Sequence, residues 1–245
     1  MRADIGEILR NNSYPGRGII VGVNEGGALV TAYFIMGRSE NSRNRVFVES
    51  DGGIVTQPAD PAKVVDPSLI IYTPVRVFGN NVIVTNGDHT DTIYKHLVRG
   101  GDFATALRSR TFEPDPPHYT PRISALLRVQ PQFNISMSII KSDGGRRPQP
   151  VRYFFEYPSP RNGTGYFLST YRGDGRPLPS FEGEPVMVDL PDRDINELTS
   201  WLWESLNPEN RVSLYVRTMD TSVNIQTTIS NQYGQDLAGG CNDSV

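Results

Sequence analysis

Residues 18–36 read GIIVGVNEGGALVTAYFIM, and this stretch decides the fold class. Two apolar runs, 18–24 and 28–36, flank Glu25-Gly26-Gly27. β-branched and aromatic residues on both sides of a glycine-bearing turn are the signature of a β-hairpin. The runs are nearly continuous rather than alternating, so both faces of these strands should be buried. A sheet covered on both faces needs a second layer on each side.

Working outward, the same pattern recurs. Strands are expected over 46–49, 54–57, 69–78, 82–85, 122–129, 133–141, 151–157, 166–171, 212–219 and 223–229, with turns at Gly79-Asn80-Asn81, Asp143-Gly144-Gly145 and Asn162-Gly163. Helices are expected over 3–11, 90–99, 103–109 and 195–206. Gly100-Gly101 would stop the second of these, and Asp194 with Glu197 resembles a capping box at the start of the fourth. Hairpins in series with helices gathered in few places argue for an α+β fold of mostly antiparallel sheets, two of them packed together with helices outside. No repeat and no long linker divides the chain, so one domain over 1–245 is expected.

Composition agrees and excludes several classes. Gly 23 and Pro 19 in 245 residues exceed the roughly 12% of an ordinary protein, as turn-rich β structure requires. A net charge of -3 gives no basic face for nucleic-acid backbone, so no nucleic-acid partner is expected. Lys63, Lys95 and Lys141 are the only lysines, and the remaining basic residues are arginines, which fork onto phosphate and carboxylate. On composition alone, that bias reads as a GC-rich genome's habit rather than a functional feature. Cys241 is the single cysteine, so no internal disulfide forms. No apolar run spans a membrane and Met1-Arg2-Ala3-Asp4 does not open a signal peptide, so a cytoplasmic protein is expected.

The sequence has no P-loop, dinucleotide-binding fingerprint, HExxH or GxSxG. His89 and His96 on one helix lie about 10.5 Å apart along its axis, too far to share a metal, and no metal site is expected. What remains are polar clusters at strand ends. Tyr14-Pro15-Gly16-Arg17-Gly18 precedes the first strand of the hairpin, and Gly37-Arg38-Ser39-Glu40-Asn41-Ser42-Arg43-Asn44-Arg45 follows the second. Antiparallel pairing puts both at one end of the sheet, where Arg17, Arg38, Arg43 and Arg45 either converge on an anion or form a solvated loop. Thr85-Asn86-Gly87-Asp88 leads into a helix, with Asp88 as the expected N-cap. Thr111 to Arg122 holds four prolines and is a stiff loop bearing Glu113, His118, Tyr119 and Arg122.

Taken in order, these clusters resemble the archaeal-type IMP cyclohydrolase family. Tyr14-Pro15-Gly16-Arg17-Gly18, the run from Gly37 to Val46, Ile71-Tyr72-Thr73-Pro74, Thr85-Asn86-Gly87-Asp88 and Phe112-Glu113-Pro114-Asp115 with Thr120-Pro121-Arg122-Ile123 carry the likeness. It covers the first half well and the second loosely. The resemblance implies a four-layered αββα sandwich of the N-terminal-nucleophile-hydrolase type. It implies cyclisation of 5-formamidoimidazole-4-carboxamide ribonucleotide to IMP with loss of water, closing purine synthesis, with no cofactor and in a homo-oligomer. It puts Tyr72, Glu113 and Arg38 at the reacting groups, with Arg17 alternative to Arg38 at the formyl oxygen. Arg43, Arg45 and Arg122 fall to the 5′-phosphate, Asn86 to base or ribose, and Asn44, Gly87 and Asp88 among the substrate contacts. Relative to the family pattern, residues 1–13 form an N-terminal extension and about 230–245 a C-terminal tail. Two other readings stand: an amide hydrolase on the same fold with a processed nucleophile such as Ser13, or a non-catalytic purine-nucleotide-binding protein. Family members lack the autocatalytic nucleophile of their fold relatives, and a chain starting at Met1 fits that.

Overall fold

A computed structural model describes residues 2–64, 71–129, 133–145 and 147–233. The hairpin is present as β2 (Arg17–Val23) and β3 (Leu29–Met36), with Arg17 opposite Ile35 and Val23 opposite Leu29. Its turn is held by the Ala28 amide donating to Asn24 Oδ1 at 2.7 Å. The hairpin sits inside a seven-stranded sheet. From one edge the order is β1 (Ala3–Asp4), β12 (Val186–Asp189), β11 (Thr164–Ser169), β2, β3, β13 (Arg211–Met219) and β14 (Ile225–Asn231). All neighbours are antiparallel except β1 and β12.

A second seven-stranded sheet, antiparallel throughout, runs β10 (Pro150–Pro158), β9 (Asn134–Ser142), β8 (Arg122–Arg128), β7 (Asn81–Thr85), β6 (Val75–Phe78), β5 (Gly53–Gln57) and β4 (Val46–Ser50). The helices are α1 (Ile5–Arg10), α2 (Glu40–Arg43), α3 (His89–Val98), α4 (Phe103–Leu107) and α5 (Ile195–Ser205).

Three apolar cores explain the continuous hydrophobic runs. Between the sheets, Ile19, Val21, Tyr33 and Ile35 meet Ile54, Val84, Ile123, Ala125 and Met137. On the outer face of the first sheet, Ile20, Ala32, Phe34, Leu214 and Val216 are covered by Ile5 and Leu9 of α1 and Leu198 and Leu202 of α5. Ile93, Phe103 and Leu107 of α3 and α4 cover Ile83, Leu126 and Ile140 of the second sheet. Neighbours along β2 and β3 therefore face different cores, and each fully buried aliphatic side chain contributes roughly 1.5–3 kcal/mol of transfer free energy. Among the described residues, no helix is long and apolar enough to cross a membrane.

The expected cap of α5 is present, with Asp194 Oδ1 accepting from the Asn196 and Glu197 amides at 2.8 and 3.0 Å. Other expectations change. The strand read over 69–78 begins only at Val75, and its first two positions lie outside the described residues. Tyr72 instead bonds Thr56 side chain and backbone, at 2.9 Å each way. The strand read over 166–171 is shifted to 164–169, and Tyr171 makes only an isolated bridge to Ser180. β1, β12 and α2 are too short to show a period. Residues 3–10, within the stretch expected to be an extension, supply β1 and α1 to the first sheet and its outer core. Of the C-terminal tail, residues 234–245, including Cys241, lie outside the described residues.

Candidate active site

At one rim of the two sheets, the start of β2 meets the starts of β4 and β8 and the end of β7. A cavity of about 270 Å³ opens there, lined by Arg17, Asn41, Arg45, Tyr72, Asn86, Gly87, Asp88, Glu113, Pro114, Asp115 and Arg122. Each polar cluster reaches it by a local device. Gly16 has φ +77°, and a Cβ there would lie 2.3 Å from Thr170 Oγ1, so only glycine lets the chain turn tightly into Arg17. Asn86 clamps β7 to β8: its Nδ2 donates to Pro121 O and its Oδ1 accepts from the Ile123 amide, both at 2.8 Å. Asp115 organises the proline-rich loop by accepting from the Thr120 amide at 2.7 Å and from the Thr120 hydroxyl. The Glu113 amide in turn donates to Thr120 O at 2.9 Å, which fixes the carboxyl-bearing residue at the rim.

The electrostatics are unusual. Among the described residues, Arg17 Nε and Arg45 Nε are buried without a hydrogen-bond partner, as is Asn41 Oδ1. Among the described residues, neither Arg17, Arg45 nor Glu113 makes a salt bridge. Burial works against the Arg17 charge, yet Glu113, Tyr171, Tyr72 and Tyr14 more than offset it and hold the guanidinium above its ordinary range. Burial and then the nearby Arg17 lower Arg45. Glu113 is pushed above the usual carboxylate range by burial, which outweighs the pull of Arg17 and Arg122. Two cationic side chains with unmet donors thus face a carboxyl that protonates more readily than usual. Such a site accepts an anion and can move a proton. The Tyr72 hydroxyl joins it, 3.1 Å from the hydroxyl of Tyr33.

The cavity gathers all the expected site residues except Arg38, Arg43 and Asn44. Arg38 turns away to pair with Asp174 and stack 4.7 Å over the Tyr14 ring. Arg43 Nε donates to Gly37 O at 3.0 Å, and its Nη2 lies 3.5 Å from Asn210 Oδ1. Asn44 exchanges two hydrogen bonds with the Asp60 backbone, at 2.8 and 2.6 Å. These three hold loops together. Asp88 also departs from expectation: its side chain does not cap α3. Its carboxylate pairs with Arg110 at 2.5 Å and Arg122 at 2.9 Å, because two guanidinium groups outcompete helix amides.

Asn41, Asp115, Tyr33 and His89 belong to the site or support it and are not among the site residues expected from sequence. Asp115 gave little local signal, since its partner Thr120 lies five residues on, beyond the usual span of side-chain-to-backbone turns. Tyr33 reads as an ordinary core strand residue and gave none. Ser13 is exposed and does not line the cavity. Among the described residues, no three His, Cys, Asp or Glu side chains group closely enough to hold a metal ion.

Comparison with known proteins adds independent findings. Residues 14–223 match the model of the family described as IMP cyclohydrolase-like protein. An IMP cyclohydrolase of Methanopyrus kandleri is 32% identical over 170 residues, 68% of this chain and 79% of the relative. One from Methanocaldococcus jannaschii is 27% identical over 209 residues, covering 84% of this chain and 94% of the relative. One from Methanococcus aeolicus is 28% identical over 163 residues, 64% and 74% of the two chains. The match spans the rim loops, the whole second sheet and all of the first except β1 and β14, and the chain belongs to the IMP cyclohydrolase-like protein family.

Proposed function

We propose that this chain is an IMP cyclohydrolase, closing the ring of 5-formamidoimidazole-4-carboxamide ribonucleotide to give IMP and water at the end of purine synthesis. The observation that carries this reading is the pair of buried Arg17 and Arg45 Nε groups, unpartnered among the described residues, that share one cavity with Glu113 and Tyr72. An anionic nucleotide answers the arginines, and the carboxyl serves the proton transfers.

The reaction is intramolecular, so holding the carboxamide nitrogen against the formyl carbon supplies a large part of the acceleration. Arg17, beside Glu113 and Tyr72, takes the formyl oxygen and stabilises its developing negative charge. Glu113 as carboxylate receives one proton from the attacking nitrogen as the C–N bond forms, then delivers it to the oxygen. The hydroxyl leaves as water with the proton of the former formamide nitrogen, so protons balance overall. A carboxyl raised above its ordinary range suits both directions of transfer. Arg45 and Arg122 hold the 5′-phosphate, and the remaining N–H of Asn86 faces base or ribose. Arg17 replaces Arg38 in this scheme, because Arg38 is engaged elsewhere.

On the same reading, the face-to-face sheets with outer helices are the αββα sandwich of the N-terminal-nucleophile-hydrolase type, folded as one domain over 1–245. The protein works in the cytoplasm as a homo-oligomer, which sedimentation of the purified protein checks. The amide-hydrolase alternative requires a processed N-terminal nucleophile, for example Ser13 exposed by cleavage before it. That cut would strip Ile5 and Leu9 from the outer core, and the new terminus would lie outside the cavity. The test is direct: purified protein is given the formylated ribonucleotide and IMP is followed by absorbance and chromatography. Formation well above the spontaneous rate is expected; binding of IMP without turnover would instead identify a non-catalytic nucleotide-binding protein.

A further inference from the structure

Arg122 lines the cavity with its side chain 13% exposed, and the protein holds most of its guanidinium. Nε donates to Thr111 O at 2.9 Å, and Nη1 lies 2.9 Å from Asp88 Oδ1 and 3.2 Å from His89 Nδ1. Nη2 makes no hydrogen bond among the described residues, so it is the edge left for a ligand. A guanidinium is planar, and fixing Nε and Nη1 fixes the direction of Nη2.

His89 is fully buried, with Nε2 3.1 Å from Ile123 O. A carbonyl oxygen only accepts, so Nε2 carries the proton and a neutral ring presents its lone pair at Nδ1. Arg122 Nη1 donates to that lone pair. An imidazolium would instead set a second N–H, and a second positive charge, against the guanidinium. Burial and then Arg122 push the His89 pKa down to about 3, with Arg110 acting in the same direction and Ile123 and Asp88 opposing. Gly87 makes room for the arrangement: a Cβ there would lie 2.6 Å from Arg122 Nη1 and 3.4 Å from His89 Nδ1.

We propose that His89 is a positioning residue for Arg122: a neutral imidazole, anchored by Nε2–H on Ile123 O, accepts from Nη1 and aims Nη2 at the phosphate of the substrate. This rests on the cyclohydrolase reading for the identity of the ligand, but the His89–Arg122 pairing itself does not. A merely structural histidine would matter through its bond to Ile123 alone. The two roles separate by substitution, because an Asn amide reaches where Nδ1 lies and a Gln amide where Nε2 lies. His89→Asn keeps an acceptor for Arg122, and His89→Gln keeps the donor to Ile123 O.

The experiment measures turnover of the formylated ribonucleotide by both variants, together with their thermal midpoints. His89→Gln is expected to raise KM about tenfold, with kcat within about threefold, as loss of one hydrogen bond to a charged group would. His89→Asn raises KM by less than about threefold. Adding His89→Gln to Arg122→Ala is expected to raise KM no further. Equal KM values in the two His89 variants, or additive effects in the double variant, would overturn the proposal. A readout without turnover uses otherwise unsubstituted protein labelled with ¹⁵N-histidine. The His89 Nδ1 resonance should be that of a hydrogen-bonded acceptor and move towards the free-nitrogen position in Arg122→Ala; no movement overturns the pairing even where the other variants fail to fold. Absence of IMP formation by the unsubstituted protein would strike the cyclohydrolase reading instead, leaving the spectrum to decide the pairing.

Discussion

Arg17 and Arg45 stand within a few residues, across one hairpin, of Arg38 and Arg43, yet the two pairs do opposite work. Arg38 and Arg43 are answered inside the protein, by Asp174 and the Tyr14 ring in one case and by Gly37 O and Asn210 in the other. Arg45 is only 6% exposed, and its Nε, like that of Arg17, has no partner among the described residues. An unanswered buried donor destabilises a fold, typically by about 1–3 kcal/mol. A pair of them beside a cavity points to an anion from outside. Arginine count marks neither role; partnership does.

The largest effect that would sharpen this contrast is at the carboxyl the unpaired arginines face. Glu113→Gln should lower kcat by roughly 10²–10⁴-fold, the range of a general acid–base group, with KM changed only a few-fold. Because burial raises Glu113 above the ordinary 4.5, kcat/KM should rise with pH along a limb displaced upward from that value, and the limb should vanish in Glu113→Gln. A pH profile unchanged by the substitution would remove Glu113 from proton transfer.

Next come the arginines themselves. Arg45→Ala should raise KM at least tenfold through loss of charge-assisted bonds to phosphate. Arg43→Ala should leave KM within about twofold and lower the thermal midpoint by a few degrees, in line with a loss of about 1 kcal/mol. Similar KM changes in both variants would erase the distinction drawn from their partners.

Smaller again is a stability effect beneath the cavity. His89 has a folded pKa of about 3 against an ordinary 6.5, so the unfolded chain takes up a proton first as pH falls. Its contribution to stability is therefore present above about 6.5 and lost progressively towards pH 3. Thermal midpoints of His89→Asn should vary less between pH 7 and 4 than those of the unsubstituted protein; parallel curves would show that His89 is not buried neutral. The smallest expected change is in Tyr33→Phe, which removes the hydroxyl 3.1 Å from that of Tyr72 and should cost only a few-fold in kcat.

Much of this molecule was legible because its signals are local. The 18–36 hairpin announced a doubly covered sheet, and the clusters around Arg17, Arg45, Asn86 and Glu113 sat at strand ends that antiparallel pairing collects. What escaped reading depends on distant partners. Arg38 is removed from the cavity by Asp174, 136 residues away in sequence, and Arg43 is held by Asn210, 167 away. Asp88 was read as a cap because a cap is the local option; Arg110, 22 residues on, supplies a stronger one. β12 is a four-residue strand with half its residues exposed, so neither length nor alternation marked it. Local pattern revealed which loops meet, while the division of labour within each loop is set by long-range charge.

One structure would test that division most directly: crystals of the protein soaked with IMP. The nucleotide is expected in the rim cavity, its phosphate on Arg45 and Arg122 and its base beside Tyr72, Glu113 and Arg17, with Arg38 still on Asp174. IMP bound instead over Arg38 and Arg43, with the Arg17 and Arg45 donors left unmet, would contradict it.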